Sequence, residues 1–437
     1  MKSRHVTLFW ILALVLAAII AIIKFKQKPS EEKASTRSPG QTLLDSFKAA
    51  DVQKLSIQGA DATVNLSVKD KQWIVEEREN YPANTRSINE FLRTVGELKI
   101  TQAQAAGPSF APRFGMDEAS SVAADRGIKV IFKDSAGKDL TTISLGKSIS
   151  SGSQNDMMSG GGFVGRYVRN HADESAFYAT EETFPSIESS PKSWLDDAFI
   201  APEKIKSIRV TEPDAETIAW EVTREAEEAE FKLVGATPDE NLDAAASEPF
   251  KSLLSYAKFD DVLSAQAAKE RTEEKGKRVA TIVTFDGFTY TVTITPMKAQ
   301  TEPPAALATP SDPQTEAKVI LTIDVKAELA KERTKAADEK PEDAKSKDEA
   351  FAARLKELSE KLAKEAKVHG WNYEISKSVV ESLLKDRASL IAKPTAEGAD
   401  PNAGGVQNFP GGMIAPAQRG APIEAVTPPI SVPAATE

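Results

Sequence analysis

Residues 69–100, KDKQWIVEERENYPANTRSINEFLRTVGELKI, decide how this chain folds. Ahead of them, Val64, Leu66 and Val68 alternate with Asn65 and Ser67, the period-two pattern of a half-buried strand. Trp73 and Val75 resume the alternation after Lys69-Asp70-Lys71, so a polar turn joins two strands. Tyr81-Pro82 is expected to stop the second strand, because proline offers no N–H to a ladder. Asn84 is a candidate N-cap, its side-chain oxygen free to accept from the first orphan amides of a helix. Ile88, Phe91, Leu92 and Val95 follow at i, i+3, i+4 and i+7. Such a stripe predicts an amphipathic helix with one face turned to a core.

Working outward, a looser copy of this unit appears downstream. Ile208 and Val210 mirror Leu55 and Ile57, and Phe231 and Leu233 stand where Trp73 and Val75 stand. A stripe of Phe250, Leu253, Leu254 and Ala257 replaces the helix face. Ala265-Gln266-Ala267-Ala268 then answers Ala103-Gln104-Ala105-Ala106. Each copy runs into a further hairpin, GIKVIFKD (127–134) with TTISLG (141–146) in the first and VATIVTFDG (279–287) with YTVTI (290–294) in the second. The pattern reads as an internal duplication; the bland alternative is that any two ββαββ segments look this alike.

Trp73-Ile74-Val75, Tyr81-Pro82-Ala83-Asn84, Phe114-Gly115-Met116-Asp117, Leu145-Gly146, Gly165-Arg166-Tyr167-Val168 and Ser193-Trp194-Leu195 together resemble the domain of unknown function 4340. The resemblance covers residues 51–200 well and 203–391 more loosely. It implies a bacterial envelope protein, often with an N-terminal membrane anchor, encoded beside an ABC-type transport system related to gliding-motility auxiliary components. No catalytic residue is carried over by it.

The chain has 437 residues, 41% hydrophobic and 27% charged, enough for two domains with proper cores. It contains no cysteine, which excludes a disulfide framework, a thiolate nucleophile and a cysteine zinc site. A net charge of −10 argues against nucleic acid as a partner, since phosphate neutralisation needs clustered Lys and Arg. Residues 6–23 are apolar apart from Thr7 and run straight into Lys24-Phe25-Lys26, so residues 1–28 read as an uncleaved signal anchor rather than a cleaved signal peptide. Lysines and arginines flank both ends, and the positive-inside rule does not decide the orientation. The short N-terminal flank and the resemblance favour a single pass in the inner membrane with the bulk in the periplasm. Residues 29–50 read as a flexible linker, 51–200 as the first α+β unit, 201–325 as the second, and 326–350 as a charged linker or helix interrupted by Pro341. Residues 351–392 read as C-terminal helices with a short strand. Residues 393–437 read as a disordered Pro/Gly/Ala-rich tail, with 8 Pro and 6 Gly after Lys393. The fold class is therefore α+β: an N-terminal transmembrane helix, two related β-rich units each with a packed helix, a C-terminal helical segment and a loose tail.

Signals for chemistry are sparse. Ser150 to Gly165 holds a glycine run but no Gly-Lys-Ser/Thr, so it reads as a hairpin loop and not a phosphate loop. His171 and His369 have no neighbouring ligand at zinc-site spacing. Adjacent acids such as Glu76-Glu77, Asp196-Asp197 and Asp260-Asp261 point to opposite faces of a strand and do not form a facing pair. No G-x-S-x-G or S-x-x-K occurs. Neither an enzyme nor a cofactor is expected. Phe351, Leu355, Leu358 and Leu362 form an apolar seam at helical spacing, a candidate partner-binding face whose alternative is packing on the second unit. Glu357–Lys361 and Glu360–Lys364 are expected to pair beside it. The leading expectation is a non-catalytic accessory or scaffold protein of an envelope ABC-type transport assembly. The alternatives are a wall- or glycan-binding module, with Trp73, Trp194, Trp220 and Trp371 as a stacking platform, and an unrecognised hydrolase.

Overall fold

The computed structural model describes residues 37–150, 162–173, 175–212, 217–273, 275–298, 317–335 and 340–392. The expected anchor (1–28) and tail (393–437) lie outside them. Among the described residues no helix is long and apolar enough to cross a membrane.

The hairpin that opens the first half pairs β1 (Lys54–Gln58) with β2 (Thr63–Lys69), and β2 turns into β3 (Gln72–Val75). Asp70 and Lys71 both carry positive φ, 51° and 65°, the twist that a two-residue hairpin loop requires. Tyr81-Pro82 does not simply end the sheet. A turn of 3-10 helix at Glu76–Arg78, with Glu79 and Asn80 left-handed, swings the chain back so that Tyr81–Pro82 forms β4 on β3. Proline is tolerated there because β4 is an edge and needs no second donor row. Helix α1 (Thr85–Glu97) then starts at Asn84, whose side chain accepts from the Ser87 amide at 3.1 Å. All four stripe residues, Ile88, Phe91, Leu92 and Val95, are buried.

From α1 the chain crosses to the far edge as β5 (Gln102–Ala105), then returns to the centre. There β6 (Ile128–Lys133), β7 (Asp139–Ser150), β8 (Phe163–Asn170) and β9 (Ala176–Thr180) run as a meander that closes on β5. The second half repeats the path with β10 (Ile205–Thr211), β11 (Ile218–Thr223), β12 (Lys232–Leu233), β13 (Asp261–Leu263), α2 (Ala265–Arg271), β14 (Arg278–Thr284), β15 (Phe288–Pro296) and β16 (Lys318–Ala327). Helix α3 (Pro341–Glu365) and β17 (Asn372–Ser376) complete it. The fold is α+β, with two antiparallel sheets. The first is ordered β4-β3-β2-β1-β6-β7-β8-β9-β5 and the second β12-β11-β10-β14-β15-β16-β17-β13. Without β4 the two orders coincide strand for strand. Leu55 and Ile208 hold the same central place, as do Val75 and Leu233 at the third strand.

Four expectations need correcting. The second copy has no counterpart of α1: one helical turn at Ala244–Ser247 passes into 3-10 helix at Glu248–Ser252. Pro249 brings no N–H to an α-helical ladder, and Leu254 is left-handed at φ 60°. The matching Ala-Gln-Ala-Ala runs are not equivalent. Gln102–Ala105 is strand β5, while Ala265–Arg271 is a helix capped by Ser264, and β13 is the counterpart of β5. The linker assigned to residues 29–50 is packed from residue 37 onward. Leu43 and Leu44 are buried, the Leu43 amide donates to the Leu98 carbonyl at 2.7 Å, and Thr42 bridges Lys99. Finally, Pro341 does not interrupt a helix but begins one, since the first helical position needs no N–H. The second sheet also draws β17 from beyond residue 325, between β16 and β13.

Candidate functional site

Three constellations concentrate the polar and aromatic side chains, and the first lies where the two sheets meet. Tyr81 of β4 stands edge-on to Trp371, Phe259 and Tyr373 of the second half, with ring centroids 5.0, 5.9 and 6.1 Å away. Phe199, in the connecting segment, closes the cluster against Tyr373 at 4.9 Å. Beside it the Arg78 guanidinium forks onto Asp261, donating to the two carboxylate oxygens at 2.6 and 2.8 Å. The turn that returns Tyr81 to the sheet edge therefore also presents Arg78 to the other sheet. Burial pushes the Tyr81 hydroxyl up to about 12 and raises Tyr373 as well, so both phenols stay protonated and act as packing groups.

The second constellation is the end of α3. Of the seam residues, Leu358 is buried and Leu362 packs against the same core, whereas Phe351 and Leu355 are half-buried. One turn past Leu362, Glu365 is buried at 4% exposure. It accepts from the Tyr290 hydroxyl at 2.7 Å and the Ala201 amide at 3.1 Å, and pairs with Lys361 at 2.9 Å. Lys361 in turn donates to the Ala201 carbonyl at 2.6 Å. The pairs expected on this helix are replaced by Lys361–Glu365, Lys356–Glu360 and Arg354–Glu357, because Lys361 turns inward to the carboxylate that needs it. Sequence reading passed over Glu365. Its only signal is a glutamate spaced three residues beyond Leu362 on the apolar side of the stripe.

The third lies on the outer face of the first sheet and gathers the motif residues Phe114, Gly146, Gly165, Arg166 and Tyr167. Phe114 stacks on Phe177 at 4.4 Å and meets Tyr167 edge-on at 5.2 Å. A Cβ on Gly146 would come within 2.2 Å of the Phe114 carbonyl oxygen, and one on Gly165 within 2.1 Å of the Thr180 oxygen. Arg166 donates to the Gly146 carbonyl at 2.8 Å, and burial lowers its pKa from the usual arginine value. These motif residues let the 108–114 segment and strand β9 approach β7 and β8 closely. Gly165→Ala is expected to force β8 from β9 and to cost about 2–3 kcal/mol as an overpacking change. Denaturant unfolding of the variant measures it, and a loss below experimental error would contradict the close approach.

The remaining candidates fall elsewhere. Trp73, Trp194 and Trp220 are buried and Trp371 is half-buried in the joint, so they do not form an exposed platform. Asp261 is held by Arg78, while Asp260 pairs with Lys318 at 3.2 Å and Glu77 accepts from the Asn65 amide. His369 lies 3.1 Å from Asp324, and His171 meets the Ser144 hydroxyl at 2.7 Å. Ser150, Phe163 and Gly165 of the expected loop are paired strand residues, and 151–161 lie outside the described residues. Among the described residues no three acidic or histidine side chains are grouped to hold a metal. A cleft of about 630 Å³ beside the end of α1 is lined by Arg93, Glu97, Glu181 and Glu182, all exposed.

Residues 73–275 match the model of a family described as a domain of unknown function, DUF4340. The match begins in β3 and ends just before β14, so it takes in parts of both sheets and the joint between them. No curated protein and no solved structure matches the chain.

Proposed function

The chain carries a DUF4340 domain over residues 73–275, and from that premise we propose that it is a non-catalytic accessory subunit of a bacterial envelope transport assembly of the ABC type. In this reading residues 1–28 hold it in the inner membrane and the sheets work in the periplasm through protein contacts. The observation that carries the reading is the joint. Arg78–Asp261 and the ring cluster around Tyr81 fasten two sheets of the same strand order into one core, the construction of a stiff spacer or scaffold. We also infer that the halves arose by internal duplication, since Tyr178 and Tyr373 occupy the same ladder position in β9 and β17, opposite Ala103 and Val262.

Crosslinking of the full chain in intact cells, followed by identification of the captured proteins, tests this function. Capture of a transport permease or its substrate-binding subunit is the expected result. Capture of peptidoglycan alone overturns it. The half-buried part of the α3 seam is the first surface to probe. Because Leu358 belongs to the core, the variant to use is Phe351→Glu with Leu355→Glu, which leaves Leu358 and Leu362 in place. It should weaken partner capture about tenfold or more while both sheets stay folded, as expected for losing two apolar anchors. Undiminished capture would remove the seam from consideration.

A further inference from the structure

The outer face of the first sheet carries positive charge that the fold itself does not require. Lys129, Ser144 and Arg169 are successive ladder partners on β6, β7 and β8, so their side chains rise from the same face. His171 follows on the same side, its Nε2 2.7 Å from the Ser144 hydroxyl. The Arg169 guanidinium lies 5.5 Å over the Phe177 ring and has no acidic partner or hydrogen bond among the described residues. Lys129 meets Glu118 at 3.1 Å, the one acid that reaches this group. In a chain of net charge −10 such a cluster is out of keeping with the whole.

The second sheet serves as an internal control. Its strands follow the same order, and the ladder positions equivalent to Lys129, Ser144 and Arg169 are Val279, Thr293 and Thr322. Asp324, opposite Thr291, stands where His171 stands beside Thr142. Identical strand topology is thus built without any of these basic groups, and with an acid in place of the histidine.

We propose that Arg169 and Lys129 bind a small tetrahedral oxyanion, of the sulfate or phosphate class, over the Ser144 hydroxyl on this face. Neighbouring strands lie about 4.8 Å apart, so the two cations start about 10 Å from each other, one on either side of Ser144 and within the combined reach of their long side chains. The planar guanidinium, braced by the Phe177 ring, presents a fork suited to two oxygens. When the His171 Nε2 donates to the Ser144 oxygen, the Ser144 proton is free to point at the anion. His171 is held neutral, its pKa lowered to about 4 by burial and then by Arg169 and Lys129, with Glu118 opposing. An anion in the site offsets those two positive neighbours, so binding and His171 protonation favour each other.

The test is sulfate titration of the full chain in a non-ionic detergent. It is read by calorimetry and by the histidine NMR signals, of which the chain has three. Sulfate does not itself titrate across this range, so a pH effect belongs to the protein. Expected are saturable binding, a rise in the His171 pKa with sulfate, and tighter binding as pH falls toward that value. Arg169→Gln should weaken binding about tenfold or more, the loss of one charge-assisted fork. Lys129→Gln provides a second variant if the first does not fold. Arg209→Gln, on the second sheet, should leave binding unchanged. No saturable binding by the parent chain, or affinity equal in parent and in a folded Arg169 or Lys129 variant, overturns the proposal.

Discussion

Tyr81→Ala is expected to uncouple the two halves of this protein. The ring contacts Trp371, Phe259 and Tyr373 at once and is 4% exposed, so its loss opens a cavity where β4 meets the aromatic groups of the second half. Truncating a buried aromatic side chain costs about 3–5 kcal/mol. Here the cost falls on the joint, where the single core passes from one sheet to the other, while the residues packed within each sheet keep their contacts. Unfolding followed by two probes, one in each half, should change from a shared transition to two separated ones. Coincident transitions in the variant, displaced together, would show that the joint does not couple the halves. Arg78→Ala should act in the same direction with a smaller effect, because the Arg78–Asp261 pair is partly open to solvent, with side-chain exposures of 22% and 15%.

Glu365→Ala should cost about 3 kcal/mol, since it strands the Tyr290 hydroxyl and the Ala201 amide without their acceptor in a buried setting. Lys361 softens the loss because it is 20% exposed and can turn to water. Burial, and then Glu365 itself, hold the Tyr290 hydroxyl well above the ordinary tyrosine range, so Tyr290 remains a donor and cannot compensate by ionising. Glu365→Gln keeps an acceptor and should be much milder. Hydrogen exchange in α3 separates the two: fast exchange in the alanine variant and slow exchange in the glutamine one is the expected pattern. Equal protection in both would mean that Leu358 and Leu362 alone dock the helix.

Local patterns in the sequence reached as far as local physics does. The alternation at Leu55, Ile57, Val64 and Leu66 and the stripe on α1 predict elements whose partners lie within a few tens of residues, and these stand in the structure. The pairing of β13 with β17 was out of reach, because Val262 meets Tyr373 across more than a hundred residues and neither strand exceeds five. Identity of letters misled at Ala-Gln-Ala-Ala, where a Ser264 cap decides for helix in one copy and ladder partners on β9 decide for strand in the other. Leu43 and Leu44 carry no periodicity, so their burial left no trace in a polar stretch. At the level of sites, a tryptophan looks the same in sequence whether it stacks in a core or faces water. Glu365 and Arg169 gain their meaning only from the strands packed beside them.

The late position of β17 has a consequence for biosynthesis. The first sheet is complete once Thr180 has left the ribosome, but the second must wait for Asn372–Ser376, with β13 lacking its neighbour for the whole interval. A nascent or prematurely terminated chain ending near Ala327 would display two unsatisfied strand margins, on β13 and β16, the kind of surface that chaperones capture and that nucleates aggregation. Nonsense variants that stop the chain between Ala327 and Asn372 are therefore expected to be cleared by proteolysis rather than to accumulate as shortened, half-working products.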